Sequence, residues 1–415
     1  MLLKRIYVDI DSVVFDCQSY VDGHSLHINK DELISIINDR VFTSLDIIIA
    51  IPGTNCRILN ICDVVQPTLK LDDEDTTFPG LVGRIHIAGR GRSLMLRNIV
   101  VSEVAEVAIN SPALLDMSAS GAQCTVLAQL FHVVIDATPA EEFTREEYFT
   151  ALHRASKKLA KHLAMIARNC TPDETEDFTL EQEGLDGLPR IAYIAGVFCH
   201  EPMSVITLYG ENMLESLPVI IHPNEIIDGA FTNMNYVFNT MGDPTYIWQN
   251  HPVILDLYRR HGIDLNFVGV VVMNIHHRVD SKRRNAIMSA AMVHYQLKAD
   301  GCILTKEGGG HPQVDIGIAT ESLEGEYGIK TTLILYPLGG AGEQLIFNTP
   351  YANAIVSIGR SASPVRLPKA DQVVGSILVT PTEDGTVSGP LTVEPGLMPG
   401  GFSQVGWTKY GTLTY

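Results

Sequence analysis

Cysteine is scarce in this chain and forms no pattern. There are seven among 415 residues, an odd number without CxxC spacing, which argues against a disulfide framework and against a four-cysteine zinc site. Long apolar runs are missing as well. No stretch approaches the ~18 uninterrupted apolar residues of a membrane span, and "MLLKRIYVDIDS" at the N-terminus lacks the apolar core and small-residue cleavage site of a signal peptide. Positive charge is in short supply: 30 Lys and Arg stand against 48 Asp and Glu, for a formal net charge of -18. Such a surface repels phosphate backbones, and "SKRRN" (281–285) alone does not offset it, so nucleic acid is not an expected partner. The expectation is a soluble, cytoplasmic protein with no membrane attachment.

With 46% apolar residues and 19% charged ones, the chain reads as globular and long enough for two or three cores. Residues 1–140 are rich in short apolar runs such as "RIYVDI", "LDIIIAI" and "FHVVIDA", separated by turn residues, and predict a β-rich N-terminal domain. One short helix interrupts it, capped by Asn29 and burying Leu33, Ile34, Ile36 and Ile37. Residues 141–189 hold the clearest helix, opened by a capping box of Thr144 and Glu147, and then an acidic linker, "TPDETEDFTLEQEGLDGLP". From 190 to 360 the pattern changes to strand and helix in alternation. Continuously apolar strands at 265–273, 302–305, 331–336 and 353–358, each followed by a long crossover, predict a doubly wound, mostly parallel α/β domain. Residues 361–415 return to β and turn character as a C-terminal extension wrapping that domain. The fold class is therefore α/β.

In open α/β sheets ligands bind at the carboxyl ends of the strands. The residues that follow the expected strands are therefore the candidates. They include His276, then "KEGGGHP" with Lys306, Glu307, Gly308, Gly309, Gly310 and His311, then "PLGGAGE" with Gly339 and Gly340. Glycines there let backbone approach a ligand, although glycines after a strand also simply turn the chain. His276, Glu307 and His311 suit general acid/base work, and the two histidines suit a divalent metal such as zinc, although no HExxH-type spacing is present. His200, after another expected strand, is a candidate base, and Cys199 beside it reads as a small buried residue. Isolated histidines such as His153 read as helix-face residues.

Five blocks, "DGHSLHINKDELISII", "HPNEIIDGAF", "NHPVILDLYRRHGIDLNFVGVVVMN", "ADGCILTKEGGGHPQVD" and "ANAIVS", together resemble the proprotein subunit of component B of the glycine, sarcosine and betaine reductases, and more distantly the D-proline reductase proprotein. The resemblance implies internal cleavage before a cysteine, a pyruvoyl group at the new N-terminus that forms a Schiff base with an amine substrate, and a partner subunit whose selenocysteine or cysteine attacks the activated carbon. Here "DGAFTNMNYVFNT" places Tyr236 after Asn235, where the family has cysteine. A phenol supports neither the acyl shift nor the β-elimination that makes pyruvoyl. The family's asparagine in "EGxGNP" is likewise replaced, by His311.

The resulting expectation is an uncleaved, pyruvoyl-free subunit of a hetero-oligomeric, two-component enzyme. It would cleave a carbon–heteroatom bond, C–N in the first instance, in a small polar substrate, with Asn235, Tyr236 and the glycines in contact with that substrate. Two alternatives are a metal-dependent hydrolase of an amide, lactam or imine, and a non-catalytic scaffold for the partner.

Overall fold

The computed structural model describes residues 1–109, 112–199, 206–234, 242–308, 310–335, 349–358, 364–401, 404–406 and 412–414. Alternation in "LKRIYVD" turns Leu3, Arg5 and Tyr7 of strand β1 (Leu3–Asp9) toward the interior. Helix α1 (Lys30–Ile37) starts where the Asn29 side chain accepts the Glu32 amide at 3.0 Å. Strands β2 (Phe42–Ala50), β3 (Ile61–Val65), β4 (Thr68–Lys70), β5 (Gly91–Arg97), β6 (Ile99–Ala105) and β7 (Phe131–Pro139) follow. They form two mixed sheets, in which β1 pairs with β5 and β6 with β7 in parallel. The apolar core gathers side chains of both sheets, including Leu94, Leu96, Val101 and Val133.

Helix α2 (Arg145–Ile166) has both bonds of its capping box: the Glu147 amide donates to Thr144 Oγ1 at 3.2 Å and the Thr144 amide to Glu147 Oε2 at 2.9 Å. Its apolar face adds Tyr148, Phe149, Leu152 and Leu159 to that core. The same helix carries charge inside. Lys157 Nζ lies 2.7 Å from Asp63 of β3 and 3.2 Å from Glu103 of β6, His153 Nδ1 lies 2.6 Å from Glu103 Oε2, and Ser156 donates to Glu103. All these groups are buried, so His153 is no helix-face residue. A lone charge here would be prohibitive; the cluster is tolerated because each carboxylate meets a cation or a donor.

The acidic stretch read as a linker contains an edge strand, β8 (Glu174–Phe178), antiparallel to β1. Its side chains from Glu174 to Asp177 face solvent, which hid the strand in the sequence.

The second half builds a seven-stranded sheet from β9 (Arg190–Phe198), β10 (Val219–Ile221), β11 (Asn266–Ile275), β12 (Gly301–Lys306), β13 (Lys330–Leu335), β14 (Ala354–Ile358) and β15 (Thr412–Thr414). Their spatial order is β10-β11-β9-β12-β13-β14-β15; β10 and β15 run antiparallel at the edges and the rest are parallel. Tyr193, Ala195 and Val197 of β9 pack against helices α3 (Thr245–Gln249) and α4 (Pro252–Arg260) through Trp248, Ile254 and Leu257. Ala192 and Ile194 point the other way, onto α5 (Val279–Ala291) and α6 (Pro312–Glu321). Coverage of both faces explains why these strands read as continuous apolar runs.

Gln372–Val374 pairs in parallel with Cys56–Leu59, and Arg57 donates to the carbonyls of Pro368 and Gly389 at 2.7 and 2.8 Å. These contacts fasten part of the tail to the N-terminal half, while Val405 joins the apolar core of the second half and β15 pairs with β14 of the large sheet. Buried polar contacts join the halves: the Gln66 amide donates to Gln249 Oε1 at 2.9 Å, Lys70 Nζ lies 2.6 Å from Asp228, and Thr245 donates its amide to Asp63 at 2.8 Å. All seven cysteines are free thiols, and among the described residues no helix is long and apolar enough to cross a membrane.

Lys157→Met leaves Asp63 and Glu103 buried without their cation. It should cost about 3–5 kcal/mol in urea unfolding followed by circular dichroism; a loss within error of zero would contradict the role given to Lys157.

Candidate functional site

The pairings of Phe198 with Ile275 and of Gly196 with Lys306 bring the carboxyl ends of β9, β11 and β12 level. The turns after these strands therefore open on one edge, as expected for a parallel sheet. After β12 the chain reverses at Gly308 and Gly310, with φ of +75 and +73°. A Cβ on Gly308 would come within 2.8 Å of the Phe198 ring, so glycine is demanded by contact as well as by conformation.

Glu307, fully buried, sits on the α3 side of this edge. Its Oε2 accepts the Phe198 amide at 2.9 Å and its Oε1 the Asp243 amide at 2.8 Å. Burial, reinforced by the nearby Asp243 carboxylate, pushes its pKa up to about 8 against the pull of the two amides. That environment favours the protonated form. Lys306, one residue earlier, turns to the opposite face with Cys302 and Leu304. Its ammonium donates to the Gly308 carbonyl at 2.5 Å, and burial lowers its pKa to about 8, opposed by Asp315.

On that second face Lys282 of α5 reaches α6. Its Nζ lies 2.5 Å from Asp315 Oδ2 and 2.8 Å from His311 Nδ1. An ammonium only donates, so Nδ1 accepts and the imidazole proton is assigned to Nε2. Burial lowers the Lys282 pKa and raises that of Asp315 to about 6, in both cases against the attraction of the partner. His276, buried beyond β11, accepts the Arg278 amide at Nδ1 (3.0 Å) and turns Nε2 toward Glu215 at 3.5 Å.

The metal pairing expected of His276 and His311 gains no third ligand among the described residues. The group there whose His, Asp and Glu ligand atoms converge within 4.8 Å is Asp63, Glu103 and His153, already neutralised by Lys157. Beside His311 the cation is the Lys282 ammonium. Cys199 is buried with its thiol pushed up to about 12, which disfavours the thiolate a nucleophile needs.

His200, Asn235, Tyr236, Gly309, Gly339 and Gly340 lie outside the described residues. The flanks of 235–241 are nevertheless fixed. Upstream, Asp228 accepts from Lys70 Nζ (2.6 Å), the Gly89 amide (2.7 Å) and Ser93 Oγ (2.5 Å), and the Asn233 amide donates to Thr245 Oγ1 at 3.0 Å. Downstream, the Asp243 amide is held by Glu307. Both ends of the segment that resembles a cleavage site are thus tied to buried polar groups, one of them at the sheet edge. Sequence reading missed Lys282 and Asp315; "SKRRN" looked like a basic surface cluster, yet Lys282 is buried at its ion pair.

Residues 1–412 match the family described as glycine/sarcosine/betaine reductase component B subunits. The chain is 30% identical over 432 residues to the glycine reductase complex component B subunits alpha and beta of Acetoanaerobium sticklandii, with 100% of each covered. It is 29% identical to the sarcosine reductase complex component B subunit alpha of Peptoclostridium acidaminophilum, over 94% of this chain and 92% of the relative. To the betaine reductase complex component B subunit alpha of the same organism it is 30% identical, over 89% of this chain and 86% of the relative. No solved structure matches. By sequence over its whole length, the chain belongs to the family of glycine/sarcosine/betaine reductase component B subunits.

Proposed function

We propose that the chain is the substrate-binding subunit of a two-component reductase that breaks a carbon–nitrogen bond in a small polar molecule, with a thiol on a second subunit as nucleophile. One observation carries this reading: the buried Glu307 carboxyl ties the strand end at Phe198 to the chain just after 235–241, in surroundings that push its pKa up. By their names the relatives belong to complexes for glycine, sarcosine and betaine. All three compounds carry nitrogen on the carbon next to a carboxylate. In the proposed step the partner's thiolate forms a carbon–sulfur bond as the carbon–nitrogen bond breaks. The electron pair leaves on nitrogen; from glycine or sarcosine the neutral amine takes its proton from Glu307 as it leaves, while the quaternary nitrogen of betaine departs as the tertiary amine without one.

A pyruvoyl group does not fit these residues. Position 236 is tyrosine and none of the seven cysteines lies between 200 and 301, so no step is routed through one. On this reading the chain stays whole, and its intact mass should correspond to the full 45.5 kDa polypeptide; two fragments with a break before residue 236 would refute that part.

Glycine, sarcosine and betaine, each supplied with the chain, the partner subunit and a dithiol, provide the functional assay through the amine released. Release that stops when the partner's thiol is alkylated is expected, and release that survives alkylation would overturn the two-component reading. Glu307→Gln should slow release from glycine or sarcosine roughly 100- to 10,000-fold. The wild-type rate should hold below pH 8 and fall as pH rises through the Glu307 pKa of about 8; the variant should lack that decline.

The same proton governs stability. A folded pKa raised above the ordinary 4.5 gives a contribution fully present below about 4.5 and lost as pH rises through about 8. Thermal unfolding of wild type and Glu307→Gln from pH 5 to 9 should therefore show the difference shifting toward the variant at high pH. Parallel curves would mean that Glu307 is ionised throughout.

A further inference from the structure

The amine of Lys306 has no part in the step proposed above. It is fully buried at the end of β12, and its hydrogen bond is a donation to the carbonyl of Gly308 in its own turn. Among the described residues no carboxylate lies within ion-pair distance of it. A lysine buried for structural reasons ordinarily meets a carboxylate, as Lys157, Lys70 and Lys282 do here. A second unanswered group stands by the same turn. Gln313, 1% exposed in the first turn of α6, meets no partner at Oε1 or Nε2 among the described residues, leaving a buried donor and acceptor. Its own main-chain amide donates to Gly310 and its neighbour Pro312 touches the Gly308 position, so it flanks the loop that Lys306 bonds.

The charges select the ligand's sign. The N-terminus of α6 adds partial positive charge beside the turn that Lys306 bonds. A small anion is favoured.

We infer that Lys306 condenses with the carbonyl of a small 2-oxo acid to form an imine, with the Gln313 amide and the start of α6 receiving the carboxylate. The inference rests on reading this sheet edge as the substrate site. It reverses the polarity of the family's covalent chemistry: the chain supplies the amine and the ligand supplies the carbonyl. The lysine nitrogen bonds to the carbonyl carbon, the carbon–oxygen bond breaks, and both amine hydrogens leave with that oxygen as water. Burial favours the neutral amine that this addition needs. With a pKa of about 8, roughly one Lys306 in ten is unprotonated at pH 7, far more than for an exposed lysine.

Glyoxylate with sodium cyanoborohydride tests this on the full-length chain. Hydride adds to the imine carbon and leaves a stable carboxymethyl group, which peptide mass spectrometry locates. One saturable modification at Lys306 is expected, at least tenfold faster than at the exposed Lys158, Lys298 and Lys369, with a rate rising with pH toward 8. Gln313→Ala should raise the half-saturating glyoxylate concentration several-fold while leaving the modified residue unchanged. Labelling that follows exposure, with Lys306 unmodified in the folded wild type, would overturn the inference. The wild-type map decides this even if Lys306→Arg does not fold. Amine release with the partner subunit, measured on the same preparation, separates this failure from failure of the reductase reading.

Discussion

A single buried carboxyl group organises the edge of the sheet. Glu307 accepts main-chain amides from two distant parts of the chain, Phe198 at the end of β9 and Asp243 just beyond 235–241. Removal of the carboxyl would take away the acceptor that Glu307 gives to these two buried amides. Geometry and proton affinity come from the same environment. The burial that makes the amide bonds strong also disfavours the carboxylate, and the Asp243 side chain adds to that effect. The sheet brings these groups to one place because its parallel strands end level, with glycines at 196 and 308 where neighbouring backbone and the Phe198 ring leave no room for a Cβ.

The N-terminal half supports this edge from behind. Asp63 belongs both to the buried charge cluster of α2 and to the cap of α3, through the Thr245 amide and hydroxyl. Thr245 in turn receives the Asn233 amide, at the upstream end of the segment whose downstream end Glu307 holds. A chain of buried polar contacts therefore runs from the first core to the catalytic edge proposed above. Such a network is costly to break at any member, because what remains is an unpaired buried charge. The block "HPNEIIDGAF" now has a physical meaning: Asp228 meets Lys70, Gly89 and Ser93, so the turn "AGRGRS" is the other half of an anchor between the halves of the chain.

Local signals were legible in the sequence and long-range pairings were not. Apolar runs located β11, β12, β13 and β14 to within a residue or two, because strands buried on both faces need no alternation. Thr144 and Glu147 marked the start of α2 because a capping box is complete within four residues. Asp63, Glu103, His153 and Lys157 are spread over the chain, and each alone resembles a solvated side chain. Only the fold shows that they neutralise one another. The pairing of 372–374 with 56–58 is hidden for the same reason. At the site, Glu307 and the glycines were visible as residues following a strand. Lys282 and Asp315 were not, since a cation and an anion on separate helices carry no mark of their contact.

The protonation state of Glu307 is the claim on which the rest stands. Infrared difference spectroscopy of the folded chain against Glu307→Gln, taken from pH 6 to 9, observes it directly. The account predicts a carboxylic-acid carbonyl band at pH 6 and 7 that is absent from the variant and fades as pH passes about 8. A carboxylate signature already complete at pH 6 would contradict it.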